Sequence, residues 1–248
     1  MHTFFVNYAQ KIRVGDVILL NDPDDCFHIA RSLRMAVGER IRISDGERQY
    51  VCELCSIRDK ECEVKIIEEL EATGEPPYRL TVYQGLPKGD KLETVIQKST
   101  ELGASAIVPF YSEYCTVKPK DAQNEQKKRQ RRQAIAREAA KQCGRTAVPG
   151  VGEVISFAEL KKAASEADAV IFCYEAEETL TLNRFLKEND LRGKNIAVII
   201  GSEGGFSPKE AAALCESGAF CISLGERILR TETAALYVLS VLSCAYEL

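Results

Sequence analysis

The chain has 248 residues, with 33 Lys and Arg against 37 Asp and Glu and a net charge of −4. Hydrophobic residues make up 45% and charged residues 28%, proportions typical of a globular protein, which excludes collagen-like, coiled-coil and intrinsically disordered classes. No apolar run approaches the roughly 18 residues of a membrane span, and no secretion signal opens the chain. We therefore expect a cytoplasmic protein with no membrane partner.

The ten cysteines form an even number that could suggest disulfides. A chain of this length can form a stable core without disulfides. Without a secretion signal it is expected in a reducing compartment, so we expect free structural cysteines. The closest pair, Cys52 and Cys55, lies on an alternating stretch that would point the two thiols to opposite faces of a strand. Only His2 and His28 could complete a metal site, and neither has ligand spacing, so no metal is predicted.

Residues 1–75 predict a small β-rich barrel or sheet domain. Short alternating runs are separated by turn signals, and Asp45-Gly46 predicts a hairpin. Between them, the spacing of Ile29, Leu33 and Val37 predicts a helix that ends at Gly38. The Gly- and Pro-containing stretch 73–78 is the expected linker.

From residue 79 onward, strands and helices alternate, which predicts a mainly parallel sheet covered on both faces over 76–248. Asp90 and Glu93 are expected to cap the first helix, which Gly103 ends. The other predicted helices cover about 122–143, 157–167, 179–188, 208–217 and 233–247, and the predicted strands 79–86, 106–110, 169–174, 196–200 and 220–224.

The segment 118–145 concentrates positive charge. It contains ten Lys and Arg against three Asp and Glu, a net charge of +7, so the rest of the chain carries −11. Such a run can be a solvated helix face, but the asymmetry favours an oriented contact with a polyanion. The residues expected to bind RNA are Lys128, Arg129, Arg131 and Arg132.

A glycine-rich loop follows the apolar strand 196–200. Gly201-Ser202-Glu203-Gly204-Gly205 leads to Ser207 as a helix N-cap, with Pro208 at the first helical position and Glu210 as the return partner. The loop matches neither a dinucleotide fingerprint nor a phosphate loop. A plain tight turn would explain one glycine but not three, so we expect a ligand loop at the carboxyl edge of the sheet.

Two further loops should meet the glycine loop at that edge. One runs from Gly225 to Thr233 and carries Arg227 and Arg230, and the other presents Tyr174 and Glu175. Three converging loops predict one pocket lined more by backbone than by side chains. Arg145, which follows Gly144, is either a cation at the end of the basic helix or a group that grips a phosphate or carbonyl oxygen.

Together these features resemble the RsmE family of 16S rRNA uridine N3-methyltransferases, in the SPOUT class. The matching stretches are GLPKGDKLETVIQKSTELG, AAKQCGRTAVP, IGSEGGFSPKE and LGERILRTETAAL. The resemblance covers essentially the whole chain. It departs at Thr3, where relatives often carry Arg before the aromatic pair, and at Ser202, where Pro is frequent.

The resemblance implies an N-terminal PUA-like RNA-binding domain over 1–75 and a trefoil-knotted SPOUT domain over 76–248 that binds S-adenosylmethionine. It also implies a homodimer that acts on 16S rRNA in the small ribosomal subunit. The expected cofactor-binding residues are Tyr174, Glu175, Gly201, Ser202, Glu203, Gly205, Leu224, Gly225, Ile228, Leu229 and Thr233.

Methylation of uracil N3 requires removal of a weakly acidic imide proton. A cation near the ring oxygens would favour the anion, and a carboxylate or a relayed water would take the proton. Arg230 is the first candidate cation and Arg145 the second, and Glu232 is a candidate base that could instead simply favour the helix dipole. A ribose 2′-O-methyltransferase of the same superfamily, or a non-catalytic RNA-binding assembly factor, remain alternatives.

The C-terminal helix is apolar on several sides, which indicates that it is buried in a core or an interface. A monomer that exposed Leu236, Leu239 and Leu242 would show a large apolar patch. We therefore expect the homodimer to form through this helix. The alternative places the helix at the centre of each monomer's core.

Overall fold

A computed structural model describes residues 1–7, 11–58, 60–71, 74–119, 121–177 and 179–248. The chain divides into two compact units. The first comprises Met1–Glu75 and Ala140–Val148, and the second comprises Pro76–Ala139 and Pro149–Leu248. Across the described ranges, no helix is both long and apolar enough to cross a bilayer. Nor do three His, Cys, Asp or Glu side chains within those ranges gather as metal ligands.

The first unit contains a five-stranded sheet in the order β1-β3-β4-β5-β2. The β1–β3 pair is parallel and the other pairs are antiparallel. The hairpin predicted at Asp45-Gly46 is confirmed: Ser44 pairs with Gln49, and Asp45 Oδ1 accepts the N–H groups of Glu47 and Arg48 at 2.9 and 2.7 Å. The strands are β1 (Thr3–Phe5), β2 (Val17–Leu20), β3 (Arg40–Ser44), β4 (Gln49–Ile57) and β5 (Cys62–Leu70).

The helix predicted through Val37 is wrong in position and length. Helix α1 covers Pro23–Phe27 and continues only as a π-helical turn over His28–Ser32. The start is earlier because the Asp22 side chain accepts two N–H groups of the first turn and Pro23 stands at its first position. Beyond the turn, Arg34 has a φ of 52°, a left-handed conformation that ends the helix, and Val37 is exposed.

The segment 140–148 is anchored within the first unit by Glu75. One Glu75 carboxylate oxygen accepts a hydrogen bond from Arg145 Nη2 at 2.6 Å, and the other accepts from Arg145 Nε at 3.2 Å. The second oxygen also accepts the backbone N–H groups of Thr146 and Ala147 at 2.9 and 3.0 Å. Gln49 Nε2 adds a bond to the Gly144 carbonyl at 3.0 Å.

The second unit is built on a parallel sheet in the order β12-β10-β11-β6-β7-β8, with β9 also pairing with β7. This confirms the predicted parallel α/β architecture. The strands are β6 (Arg79–Gly85), β7 (Ala106–Tyr111), β8 (Gly150–Val151), β9 (Ile155–Ser156), β10 (Ala169–Cys173), β11 (Asn195–Ile200) and β12 (Phe220–Ile222). The helices are α2 (Lys91–Glu101), α3 (Ala122–Cys143), α4 (Phe157–Ala164), α5 (Leu182–Glu188), α6 (Pro208–Glu216) and α7 (Thr231–Tyr246). The last turn of α3, from Ala140, belongs to the first unit.

Both faces of this sheet are buried. Along β6, Val82 belongs to the core on one face and Tyr83 to the core on the other. Along β11, Val198 and Ile199 divide in the same way. Successive strand residues point to opposite faces, so a near-continuous apolar strand is what a sheet covered on both sides requires.

Helix α7 packs within this core. Leu239 and Leu242 are fully buried among residues of their own chain, and the helix packs against α2. The premise that a monomer would expose these two leucines is therefore wrong. The apolar residues of the helix after Glu232 reflect burial in the monomer, as the alternative held.

The two predicted helix caps have different outcomes. Ser207 and Glu210 form the capping box of α6, with each side chain bonded to the other residue's backbone N–H at 3.3 and 3.0 Å. Asp90 precedes α2 with φ −92° and ψ 8°, and its side chain makes no cap hydrogen bond. This backbone conformation lies outside the extended region that lets an N-cap side chain reach the first turn.

The expectation that all cysteines are free is wrong at one pair, since Cys215 and Cys221 form a disulfide. The chain reverses direction at Gly218, between α6 and β12, which brings the two Cα atoms to 6.4 Å, within the range that a disulfide spans. Cys52 is buried and Cys55 exposed, as predicted for residues on opposite strand faces.

Candidate active site

The ends of β10, β11 and β12 open into one pocket of about 470 Å³ in the second unit. This volume is within the usual range for small-molecule sites. The lining residues are Lys91, Cys173, Tyr174, Glu175, Ile200, Gly201, Ser202, Glu203, Gly205, Ser223, Leu224, Gly225, Glu226, Arg227, Ile228, Leu229, Arg230, Thr231 and Ala234.

The glycine loop passes close to neighbouring protein atoms. A Cβ at Gly85, the last residue of β6, would lie 2.4 Å from Ser202 N, so this strand end must be bare for the loop to cross it. Gly205 has a φ of +65°, and a Cβ there would lie 2.6 Å from Glu175 Oε1. Gly85 and Gly205 therefore allow close contacts between segments of the protein.

A buried hydrogen-bond network joins three segments behind the pocket. Gln84 Nε2, at the end of β6, donates to Thr231 Oγ1 at 2.7 Å, and Thr231 Oγ1 donates in turn to the carbonyl of Gly201. Gln84 Nε2 also lies within 3.4 Å of that carbonyl. Because Gln84 and Thr231 are buried, this network fixes the start of α7 against the start of the glycine loop.

An ion-paired cluster forms part of the pocket wall. Lys91 Nζ lies 2.7 Å from Glu203 Oε1 and 3.8 Å from Glu232 Oε2. The backbone N–H of Lys88 also donates to the Glu203 carboxylate at 3.1 Å. Burial acts to raise the pKa of Glu203, but the hydrogen bonds from Lys91 and from backbone N–H groups outweigh it and hold the pKa below its usual value.

The pocket contains a thiol, but one that is unsuited to nucleophilic chemistry. Burial raises the pKa of Cys173 to about 12, so this thiol stays protonated at neutral pH. The remaining lining combines backbone groups with charged side chains of both signs. Such a site is built to bind and orient a ligand that brings its own reactive group.

The structure gathers most of the predicted site residues in this pocket. Of the expected cofactor-binding residues, all but Thr233 line it, and so does Arg230. Thr233 is exposed on α7, outside the lining. Glu232 lies beside Lys91 behind the wall, and its Oε2 is buried without a hydrogen-bond partner among the described residues. Arg145 belongs to the first unit, where its nearly buried guanidinium holds Glu75, and this geometry gives its catalytic role no support.

The sequence reasoning did not single out Lys91, Gln84 or Thr231. Lys91 and Gln84 come from the stretch around β6 and α2, more than 100 residues from the glycine loop along the chain. A signal was available for Gln84, because a long amide inside an otherwise apolar strand must find hydrogen-bond partners once it is buried. For Lys91 no local signal existed, since a lysine at the start of a helix is ordinary.

Three arginines of the basic helix α3 are engaged in ion pairs. Arg129 donates to the Val151 carbonyl and pairs with Glu153, each at 3.1 Å. Arg131 pairs with Glu93 at 2.9 Å and remains mostly exposed. Arg132 is largely buried near Glu125, and desolvation by this burial lowers its pKa. Lys128 also pairs with Glu125, at 2.7 Å. These groups therefore help to hold α3 in place as well as forming a basic surface.

Comparison with known proteins identifies the family of this fold and pocket. Residues 74–243 match the RNA methyltransferase domain family, and residues 20–67 match the RNA methyltransferase PUA domain family. The chain belongs to the RNA methyltransferase family. It is a methyltransferase, and the pocket lies in the matched domain.

Two curated relatives extend the similarity over nearly the full chain. The ribosomal RNA small subunit methyltransferase E of Bacillus subtilis is 37% identical over 229 residues, which cover 91% of this chain and 89% of that protein. The Aquifex aeolicus protein of the same name is 32% identical over 251 residues, covering 98% and 99%.

A solved structure shows the same fold. The ribosomal RNA small subunit methyltransferase E from Neisseria gonorrhoeae, bound to S-adenosyl methionine, superposes with a TM-score of 0.85 at 28% identity. The match covers 99% of this chain and 98% of that one.

Replacing Thr231 with Val should lower the free energy of unfolding by about 1–3 kcal/mol, because it removes the hydrogen bond that Thr231 accepts from the Gln84 amide and the one that it donates to the Gly201 carbonyl. Urea unfolding followed by circular dichroism measures this loss. Thr94→Val, on the exposed surface of α2, is the matched control and should change stability by less than about 0.5 kcal/mol. Equal effects at the two positions would contradict a stabilising role for the network.

Proposed function

We propose that this methyltransferase transfers a methyl group from S-adenosylmethionine to N3 of a specific uracil in 16S rRNA of the small ribosomal subunit. The observation that carries the proposal is the similarity, over nearly the whole chain, to proteins named ribosomal RNA small subunit methyltransferase E. A related structure holds S-adenosyl methionine on the same fold. Identification of uracil N3 as the acceptor rests on the RsmE-like motifs of the sequence.

The pocket has features that fit this cofactor. Ser202 Oγ is buried in the lining without a hydrogen-bond partner among the described residues, so it is available to a ligand. The residues that would hold the cofactor are the predicted lining residues Tyr174, Glu175, Gly201, Ser202, Glu203, Gly205, Leu224, Gly225, Ile228 and Leu229.

When bound, S-adenosylmethionine supplies a methyl group activated by a positively charged sulfur. The chain's own residues position the acceptor and manage its proton. Arg230, in the lining, would stabilise negative charge on the uracil oxygens as the imide loses its proton. Glu232, whose buried Oε2 makes no hydrogen bond within the described residues and lies 3.8 Å from Lys91 Nζ, is the proposed acceptor of that proton through a water molecule.

A trefoil knot is consistent with the path of the chain through the second unit. Strand β12 lies at the edge of the sheet, beyond β10 and β11. The next element, α7, begins at Thr231, which is bonded to Gln84 of β6 and to Gly201 after β11. The loop 223–230 must therefore return past two strands before α7 packs against α2, as it would in a SPOUT-type knot.

The first unit would act as a PUA-like RNA-binding domain, a proposal that rests on the family match over 20–67. The proposed domain ends near residue 75, and the segment 140–148 belongs to the same compact unit. A substrate in the small ribosomal subunit would place the protein with ribosomes in the cytoplasm.

We also propose a homodimer. The buried leucines do not support it, and the argument is instead an exposed stripe of α7. Thr233, Tyr237, Ser240 and Cys244 form an exposed stripe along α7. No charged residue occurs between 233 and 246. An uncharged exposed stripe of this kind suits a self-complementary contact between two copies.

Labelled methyl transfer tests the proposed function. Small ribosomal subunits from cells that lack their own enzyme of this kind should gain one methyl group per subunit, recovered as 3-methyluridine by mass spectrometry of nucleosides. A 2′-O-methylated nucleoside would support the ribose alternative, and absence of transfer together with RNA binding would support an assembly factor.

Arg230→Met should lower kcat by about 100-fold, whereas Arg184→Met, on the exposed face of α5, should leave kcat unchanged.

Helix α3 should contribute phosphate contacts that depend on salt. Lys127 and Arg131 are the suitable pair to change, because both are exposed and the only described ion pair of Arg131 is the surface contact with Glu93. Arg132 is largely buried, and Arg129 also binds the Val151 carbonyl. Lys127→Gln with Arg131→Gln should weaken rRNA binding and reduce the slope of log K against log salt by about 1.5, as expected for two lost contacts. Lys161→Gln with Lys162→Gln, exposed on α4, is the charge-matched control. If both pairs leave the same slope, α3 is not the RNA surface.

A further inference from the structure

Three cations line the pocket, and they differ in how firmly they are held. Arg227 and Arg230 are exposed on the loop 223–230, and no ion pair involves either of them within the described part of the chain. Lys91 is about one-third exposed and is held by Glu203 at 2.7 Å, with Glu232 at 3.8 Å. Only groups that are fixed before the reaction stabilise a developing charge without a cost of reorganisation.

Glu203, which pairs with Lys91, is itself held in place. Glu203 belongs to the glycine loop, and its carboxylate also accepts the backbone N–H of Lys88. That loop is tied to β6 and α7 through Gly201, Thr231 and Gln84. The ammonium at the start of α2 is therefore positioned by contacts that continue into the sheet.

The charge of the cluster indicates what kind of ligand group it can accept. One ammonium faces two carboxylates, Glu203 at 2.7 Å and Glu232 at 3.8 Å, so Glu232 can take up a proton while Glu203 keeps the ammonium in place. A neutral imide can approach, and it gains an interaction with the ammonium as its own negative charge develops.

We infer that Lys91 is a further catalytic residue, whose ammonium stabilises the anion formed on the acceptor base. The inference rests on the proposed function. In this step the N3–H bond breaks, the proton passes through an intervening water molecule to the Glu232 carboxylate behind Lys91, and the electron pair stays on the imide, where it spreads onto the ring oxygens beside Lys91. The same electron pair then forms the bond to the methyl carbon as the carbon–sulfur bond breaks and leaves its electrons on sulfur. Glu203 is a positioning residue, since it acts through Lys91.

The test is Lys91→Met, compared with Lys91→Arg and with Lys98→Met as the matched control. Lys98 lies on the same helix, is exposed to a similar extent and also pairs with a glutamate, Glu101. Lys91→Met should lower kcat by about 100-fold, with KM for rRNA and the calorimetric Kd for S-adenosylmethionine both within about threefold of the parent. Lys91→Arg should recover at least tenfold of the loss, and Lys98→Met should match the parent.

Three results would overturn the inference. An unchanged kcat in Lys91→Met would show that the ammonium has no part in the reaction. A cofactor Kd weakened by tenfold or more, with kcat retained at saturation, would make Lys91 a cofactor ligand instead. A loss of kcat that Lys91→Arg does not relieve, accompanied by a lower unfolding midpoint in both variants, would reduce it to a structural ion pair. If the parent itself transfers no methyl group, the proposed function fails first.

Discussion

The hydroxyl of Thr231 is the contact on which the rest of the site depends. It accepts a hydrogen bond from Gln84 and donates one to Gly201, so a single side chain joins the end of β6, the end of β11 and the start of α7. Gln84 and Thr231 are buried, and hydrogen bonds in such surroundings are strong and costly to leave unmade. The glycine loop and the loop 223–230 can therefore face each other across one pocket, although neither contains regular secondary structure.

The position of the glycine loop and of α7 also determines where the charged groups Lys91, Glu203 and Glu232 lie. The glycine loop carries Glu203 to the wall of the pocket, Glu203 holds Lys91, and α7 brings Glu232 within reach of the same ammonium. A reaction that takes a neutral imide through an anion needs a fixed cation next to an acceptor for the proton. In the proposed mechanism both come from segments separated by more than 100 residues, and the backbone-rich remainder of the lining would bind the cofactor.

Much of the fold could be predicted from the sequence, because local patterns determine it. The alternation of apolar strands with helices, the capping box of Ser207 and Glu210, and the hairpin at Asp45-Gly46 all depend on neighbouring residues. Long-range contacts could not be predicted in this way. The ion pairing of Lys91, the burial of Leu239 within its own chain and the disulfide of Cys215 and Cys221 follow from how elements pack, and a linear pattern does not encode that packing.

We propose that the ends of β10, β11 and β12 form one cofactor site, which the hydrogen bonds among Gln84, Thr231 and Gly201 hold together. Amide hydrogen exchange, followed by mass spectrometry with and without S-adenosylmethionine, tests it most directly. Binding should protect peptides that cover 173–177, 200–206 and 223–231 together, at one common ligand concentration, and leave those from 11–58 unchanged. Protection of only one of these loops, or protection confined to the first unit, would contradict the account.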